Sequence, residues 1–143
     1  MKKFLSVLFG SLFGLFSAET IASSTDSPPT LHVENATVNE SGGPMIFSIV
    51  CNPSSPRCGS TNQPLSLDYT TQDGTATANS DYVPTRGTLT LAPGQSEGFV
   101  TVTIKNDSVP EKTETFTLDL LNPVNAKLDK QQVTGTIIDD DTE

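Results

Sequence analysis

An all-β sandwich of two packed antiparallel sheets is the fold this sequence predicts, and three observations predict it. Apolar and polar residues alternate with period two from Thr30 onward. The alternating runs are rich in Thr, Val, Ile and Leu and are broken by Gly, Pro, Asn and Asp, the signature of strands joined by turns. After the first two dozen residues no helical pattern is visible.

The chain opens with Lys2 and Lys3, continues through an apolar stretch from Phe4 to Phe16, and then offers small residues around Thr20-Ile21-Ala22. That order predicts a secretory signal peptide, residues 1–22. Cleavage after Ala22 places Thr20 three positions before the cut, whereas cleavage after Ala18 would place bulky Phe16 there. The apolar stretch falls short of the roughly 20 residues of a membrane span, although left uncleaved it would serve as an anchor. Once it is removed, no membrane span is expected, and the mature protein is expected to be exported: periplasmic, at the cell surface or secreted.

Residues 23–29 read as a flexible leader. Strands are then expected at about 30–38, 44–51, 64–71, 86–92, 97–105, 114–121 and 126–138, within one domain covering 30–141. Alternation turns Met45, Phe47 and Ile49 inward, then Leu65, Leu67 and Tyr69, Leu89 and Leu91. Val100, Val102 and Ile104, Phe116, Leu118 and Leu120, and Val133 and Ile137 complete the core. One apolar face per strand needs a second sheet to cover it. About seven strands in so short a domain fit an immunoglobulin-like antiparallel sandwich, with a barrel as the alternative. No Cys-Trp-Cys signature marks an antibody-type domain.

Cys51 and Cys58 flank a loop stiffened by Pro53 and Pro56. In an exported chain they are expected to form one disulfide, a local staple. No CxxC spacing supports a redox role, and no third Cys or adjacent His supports zinc.

Removing residues 1–22 leaves six basic against sixteen acidic residues, a net charge of −10. Such a surface repels phosphates, so nucleic acid is excluded as a partner and cations or basic proteins are favoured. The acids also sort by position. If each strand reverses direction, the loops bearing Glu40, Asp73 with Asp81, and Asp107 with Glu111 and Glu114 share one end with the final Asp139-Asp140-Asp141. The cysteine loop, the Ala92–Gln95 turn and the Asn122-Pro123 turn occupy the other. Two carboxylates about 6 Å apart repel by roughly 3 kcal/mol at an effective dielectric of about 20. A hard divalent cation removes that repulsion, and Ca²⁺ takes six to eight oxygens in a flexible geometry that loops can supply. The alternative is a set of solvated surface acids.

The ordered motifs Leu67-Asp68-Tyr69-Thr70-Thr71-Gln72-Asp73-Gly74-Thr75-Ala76, Asp81-Tyr82 and Gly87-Thr88-Leu89-Thr90-Leu91-Ala92-Pro93-Gly94 resemble the Calx-beta family. Ile104-Lys105-Asn106-Asp107, Glu111-Lys112-Thr113-Glu114-Thr115-Phe116 and Thr136-Ile137-Ile138-Asp139-Asp140-Asp141 extend the resemblance over about 31–141. It implies an immunoglobulin-like sandwich that binds Ca²⁺ at the acidic end. By position, Glu40 matches the acid at the start of the second strand, and Asp81 that of the DY pair. Asp107, Glu111 and Glu114 match ligands of the fifth loop, and Val109 matches a backbone carbonyl donor. Asp139, Asp140 and Asp141 match the terminal acidic run. Asn106 stands where calcium-binding members often carry Asp, keeping an oxygen but losing a charge. Asp73 is expected to shape its turn rather than to bind metal.

Two other classes compete with a calcium-binding module. An enzyme is disfavoured: the only histidine, His32, sits in a predicted strand, no GxSxG or HExxH motif surrounds it, and no Trp builds a sugar platform. A metal-independent adhesion or interaction module, holding an unknown protein or surface partner by a strand edge or loop, is the serious rival.

Overall fold

The computed structural model describes residues 27–55, 57, 58 and 62–142. The expected signal peptide and residues 23–26 of the expected leader lie outside the described residues, and Ser27, Pro28 and Pro29 form no regular element.

Nine strands are described: β1 (Thr30–Val33), β2 (Ala36–Asn39), β3 (Met45–Cys51), β4 (Leu65–Asp73), β5 (Arg86–Leu91), β6 (Glu97–Val102), β7 (Glu114–Val124), β8 (Lys127–Leu128) and β9 (Gln132–Ile138). A single 3-10 turn, Glu40–Gly42, follows β2. One sheet runs β2-β9-β7-β4-β5 and the other β6-β3-β1-β8. The all-β sandwich is therefore as expected.

The strand count and two pairings differ from expectation, for one physical reason. Both the first and the last expected strands switch sheets midway. Between β1 and β2 the chain passes through exposed Glu34 and Asn35, and the Asn35 Oδ1 accepts the Thr134 backbone N–H at 2.9 Å. The side chain thus fills a bond on β9 that no backbone carbonyl supplies at the crossover. Between β8 and β9 the chain crosses likewise through Asp129, Lys130 and Gln131. Each split creates a parallel pairing, β2 with β9 and β1 with β8, while the remaining pairs are antiparallel.

The expected turn at Asn122-Pro123 is also displaced. β7 continues to Val124, and its register against β4 jumps from Asp68↔Leu121 to Ser66↔Val124. This bulge takes up Pro123, which has no N–H for a ladder. Asn122 sits there at φ 49° and donates from Nδ2 to Asp68 Oδ2 at 3.0 Å.

The inner faces meet in one core. Tyr82 stacks on Phe116 with ring centroids 4.3 Å apart, and Phe47 meets the same Phe116 edge-on at 6.2 Å. Of the expected inward residues, Tyr69 and Leu89 are only partly buried, whereas Leu31, Val33, Ala76 and Tyr82 join the core without having been expected there. Cys51 and Cys58 are joined in a disulfide with Cα atoms 5.6 Å apart. β3 carries Cys51 to the end opposite its start, where the chain arrives from Glu40.

Candidate metal centre

Four segments build the acidic end. Glu40 opens the 3-10 turn that closes β2, and its side chain is buried at 8 % exposure, the one buried polar or charged residue among those described. Glu114 is the first residue of β7. Asp139, Asp140 and Asp141 leave the end of β9, which pairs in parallel with β2, so the two strands deliver Glu40 and the terminal acids side by side.

The signature loop after β4 positions the fourth segment. Asp73 Oδ1 accepts the Ala78 N–H at 2.8 Å and the Tyr82 hydroxyl, so Asp73 shapes the turn as expected. Gly74 passes against the backbone at the start of β7: a Cβ there would lie 2.4 Å from the Thr115 carbonyl oxygen. Thr75 Oγ1 accepts the Thr115 N–H at 2.8 Å, and the Ala76 N–H donates to the Thr115 carbonyl at 2.9 Å. The loop is thereby fastened to the start of β7, with Asp81 brought beside Glu114. Asp81 is itself held, accepting the Thr77 N–H at 2.6 Å and the Thr77 hydroxyl at 3.1 Å.

Two compact carboxylate groups result. Oxygens of Glu40, Asp139 and Asp141 lie within 4.8 Å of one another, and so do those of Asp81, Glu111 and Glu114. A small cleft of about 10 Å³ joins them, lined also by Asp107, Lys105 and Lys112. Asp107 ties its loop to Glu40: its N–H donates to Glu40 Oε2 at 2.6 Å, and its Oδ1 accepts the Val109 N–H at 2.7 Å.

Asp140 falls outside both groups and accepts the backbone N–H and hydroxyl of Ser41. Asn106 and Val109 are exposed on the same loop as Asp107. Lys105, not singled out from the sequence, donates from Nζ to the Asn79 carbonyl at 2.7 Å while lining the cleft.

The electrostatics are those of acids crowded together, more carboxylates than the two lysines of the cleft can balance. Burial, first of all, raises the Glu40 carboxyl above its ordinary 4.5; the Asp107 N–H opposes this, while the carboxylates of Asp107, Asp141 and Asp139 add to it. Glu114 is raised by burial and then by Asp81, Glu111 and Glu40. Asp141 is raised by burial and by Asp139, Asp140 and Asp107. Most telling, Asp139 Oδ1 and Asp141 Oδ2 are buried and have no hydrogen-bond partner among the described residues. Oxygens so placed are costly unless something positive faces them. An all-oxygen donor set with no His or Cys fits a hard cation rather than zinc.

Residues 25–141 match the Calx-beta domain family. The chain belongs to that family. Its relatives include the sodium/calcium exchanger Calx of Drosophila melanogaster, 34 % identical over 120 residues, which cover 81 % of this chain and 12 % of the exchanger. The human sodium/calcium exchanger 2 is 35 % identical over 83 residues, 58 % of this chain and 8 % of the exchanger. The chain thus spans about a tenth of the length of these relatives. Among solved structures, the apo-form Calx CBD1 domain superposes with a TM-score of 0.69 at 31 % identity, covering 80 % of this chain and 99 % of that one. The calcium binding domain CBD12 of CALX1.1 gives 0.68 at 32 % identity, covering 78 % and 44 %. As a Calx-beta domain the protein is a non-catalytic module.

Proposed function

We infer that this Calx-beta domain is an exported Ca²⁺-binding module whose acidic end is set rigid by the ion, and that it serves in interaction or adhesion. The single observation that carries the reading is the pair of buried, unpartnered oxygens of Asp139 and Asp141 beside buried Glu40. Glu40, Asp139 and Asp141 would hold one ion, and Asp81, Glu111 and Glu114 a second, with Asp107 between them. The ion supplies positive charge that cancels the carboxylate repulsion. The rest is this chain's own work: β2 and β9 present the first group, and the Thr75–Thr115 contacts present the second. Two relatives whose names mention calcium, the sodium/calcium exchangers and the calcium binding domain CBD12, support the choice of ion.

Export is supported by the N-terminal pattern and by the disulfide, which persists in oxidising compartments. An interaction role is supported by the edge strand β6, whose Phe99 stays 54 % exposed.

The test is calorimetric titration of Ca²⁺ into the metal-free domain. Saturable binding is expected, falling at least tenfold, about 1.4 kcal/mol, in Asp139→Ala/Asp141→Ala. No heat of binding up to millimolar Ca²⁺ would leave a metal-independent module as the better reading.

A further inference from the structure

We propose that His32, Glu34 and Asp129 form a pH-sensitive clasp that fastens the two points where the chain switches sheets. His32 is the third residue of β1 and its ring is flanked on both sides: Nδ1 meets the Asp129 carboxylate and Nε2 the Glu34 carboxylate. A neutral imidazole has one N–H and one lone pair, so it can satisfy only one carboxylate and repels the other. The doubly protonated ring satisfies both. The carboxylates stand on opposite ring nitrogens, which suits an imidazolium bridge and not a metal chelate.

Placement gives the bridge its role. Glu34 lies in the β1-to-β2 crossover and Asp129 in the β8-to-β9 crossover. β8 is a two-residue edge strand held by the Lys127 N–H on the Pro29 carbonyl at 2.8 Å and the Asp129 N–H on the Leu31 carbonyl at 3.1 Å. So short an edge gains little from its own ladder, and a side-chain tie across it matters correspondingly more. β2 and β9 leave this point in parallel and end in Glu40 and the terminal acids.

The other charged groups facing the ring are few. Lys130 Nζ meets Glu34 at 3.3 Å and Lys127 lies on β8. From β3 the residue opposite His32 is the uncharged Val50, whose partner on β6 is Glu97. The balance is acidic, and the ring's pKa is raised above 6.5, first by the bond to Asp129. A raised histidine pKa gives stability that is complete below 6.5 and lost as pH rises through the folded value. The clasp is therefore closed in mildly acidic surroundings and released above.

The experiment is an NMR titration of the metal-free domain combined with amide exchange. His32 is expected to titrate above 6.5 and to return towards 6.5 in Asp129→Asn. Protection of the Lys127 and Asp129 amides, corrected for intrinsic exchange, should fall severalfold from pH 6 to pH 8.5 in the wild-type chain. In His32→Gln that pH dependence should vanish. A His32 midpoint at or below 6.5, or equal protection at the two pH values in the wild type, overturns the proposal.

Discussion

At the residue scale the clustered acids make the clearest demand. Glu40 and Glu114, ordinarily at 4.5, and Asp141, ordinarily at 3.8, are all raised, and a raised carboxyl gives stability that is present below its ordinary value and lost as pH rises through the folded one. The metal-free domain should therefore melt higher at pH 4.5 than at pH 6. His32 adds a gain in the same direction, but its contribution is complete by 6.5, so a rise below pH 6 belongs to the carboxylates. Thermal melts in metal-free buffer check this, and a flat profile between pH 6 and 4.5 would refute it. Glu40→Gln keeps an oxygen for the Asp107 N–H while removing the charge, so the fold should stand and Ca²⁺ affinity should fall about tenfold, 1.4 kcal/mol. Titration calorimetry reads the difference. The sequence shows which acids share an end, because strand direction alone decides it. It does not show that Asp140 turns away to Ser41 while Asp139 and Asp141 stay with Glu40, since adjacent residues differ by side-chain direction and not by chain position. His32 was similarly legible as a strand residue, whereas its partner Asp129 lies 97 residues away.

At the scale of elements, the alternation located the strands but not the places where a strand changes sheet. Glu34-Asn35 and Asp129–Gln131 interrupt the pattern by only two or three residues, and only the long-range pairings of the flanking strands show that the chain has crossed. Close packing of elements separates two glycines that look alike in sequence. A Cβ on Gly135 of β9 would meet Met45 Sδ at 2.6 Å and Phe116 Cζ at 2.7 Å, side-chain atoms of the core. A Cβ on Gly74 would meet the Thr115 carbonyl at 2.4 Å, which is backbone and cannot move alone. Gly135→Ala should cost about 1–3 kcal/mol as ordinary overpacking. Gly74→Ala should cost more and also weaken Ca²⁺ binding, because it pushes the Asp81 loop off Glu114. Urea unfolding and calcium titration of the two variants separate the effects, and equal affinity loss in both would contradict this account. The disulfide belongs to the opposite end. Loop entropy gives so small a ring at most about 2.5 kcal/mol. Cys51→Ser/Cys58→Ser should lower the melting temperature by several degrees and leave calcium affinity within twofold, as measured by melts and calorimetry.

On the scale of the whole molecule, the sandwich brings together acids that lie as far apart in sequence as Glu40 and Asp141, so the unfolded chain cannot present them as a group. Any ion held by that group must favour folding. At a free Ca²⁺ concentration 100 times Kd, one site adds about 2.7 kcal/mol, and a domain of this size should melt several degrees higher. Mg²⁺ should do less, because it surrenders its waters reluctantly and demands stricter geometry. Asp139→Ala/Asp141→Ala should remove the share of the calcium-dependent shift that comes from the Glu40 group while raising the melting temperature without metal, since it deletes two charges and two unpartnered buried oxygens. The charge-matched control is Asp68→Ala/Asp119→Ala. Asp68 is bonded to Thr88 and Asn122, and Asp119 to Gln132, all away from the acidic end. Those two substitutions should lower basal stability, because they remove satisfied bonds, yet leave the calcium shift intact. If the control loses the shift as fully as the terminal pair does, calcium acts by screening the net negative charge of the whole domain, and the buried oxygens of Asp139 and Asp141 have no special part in it.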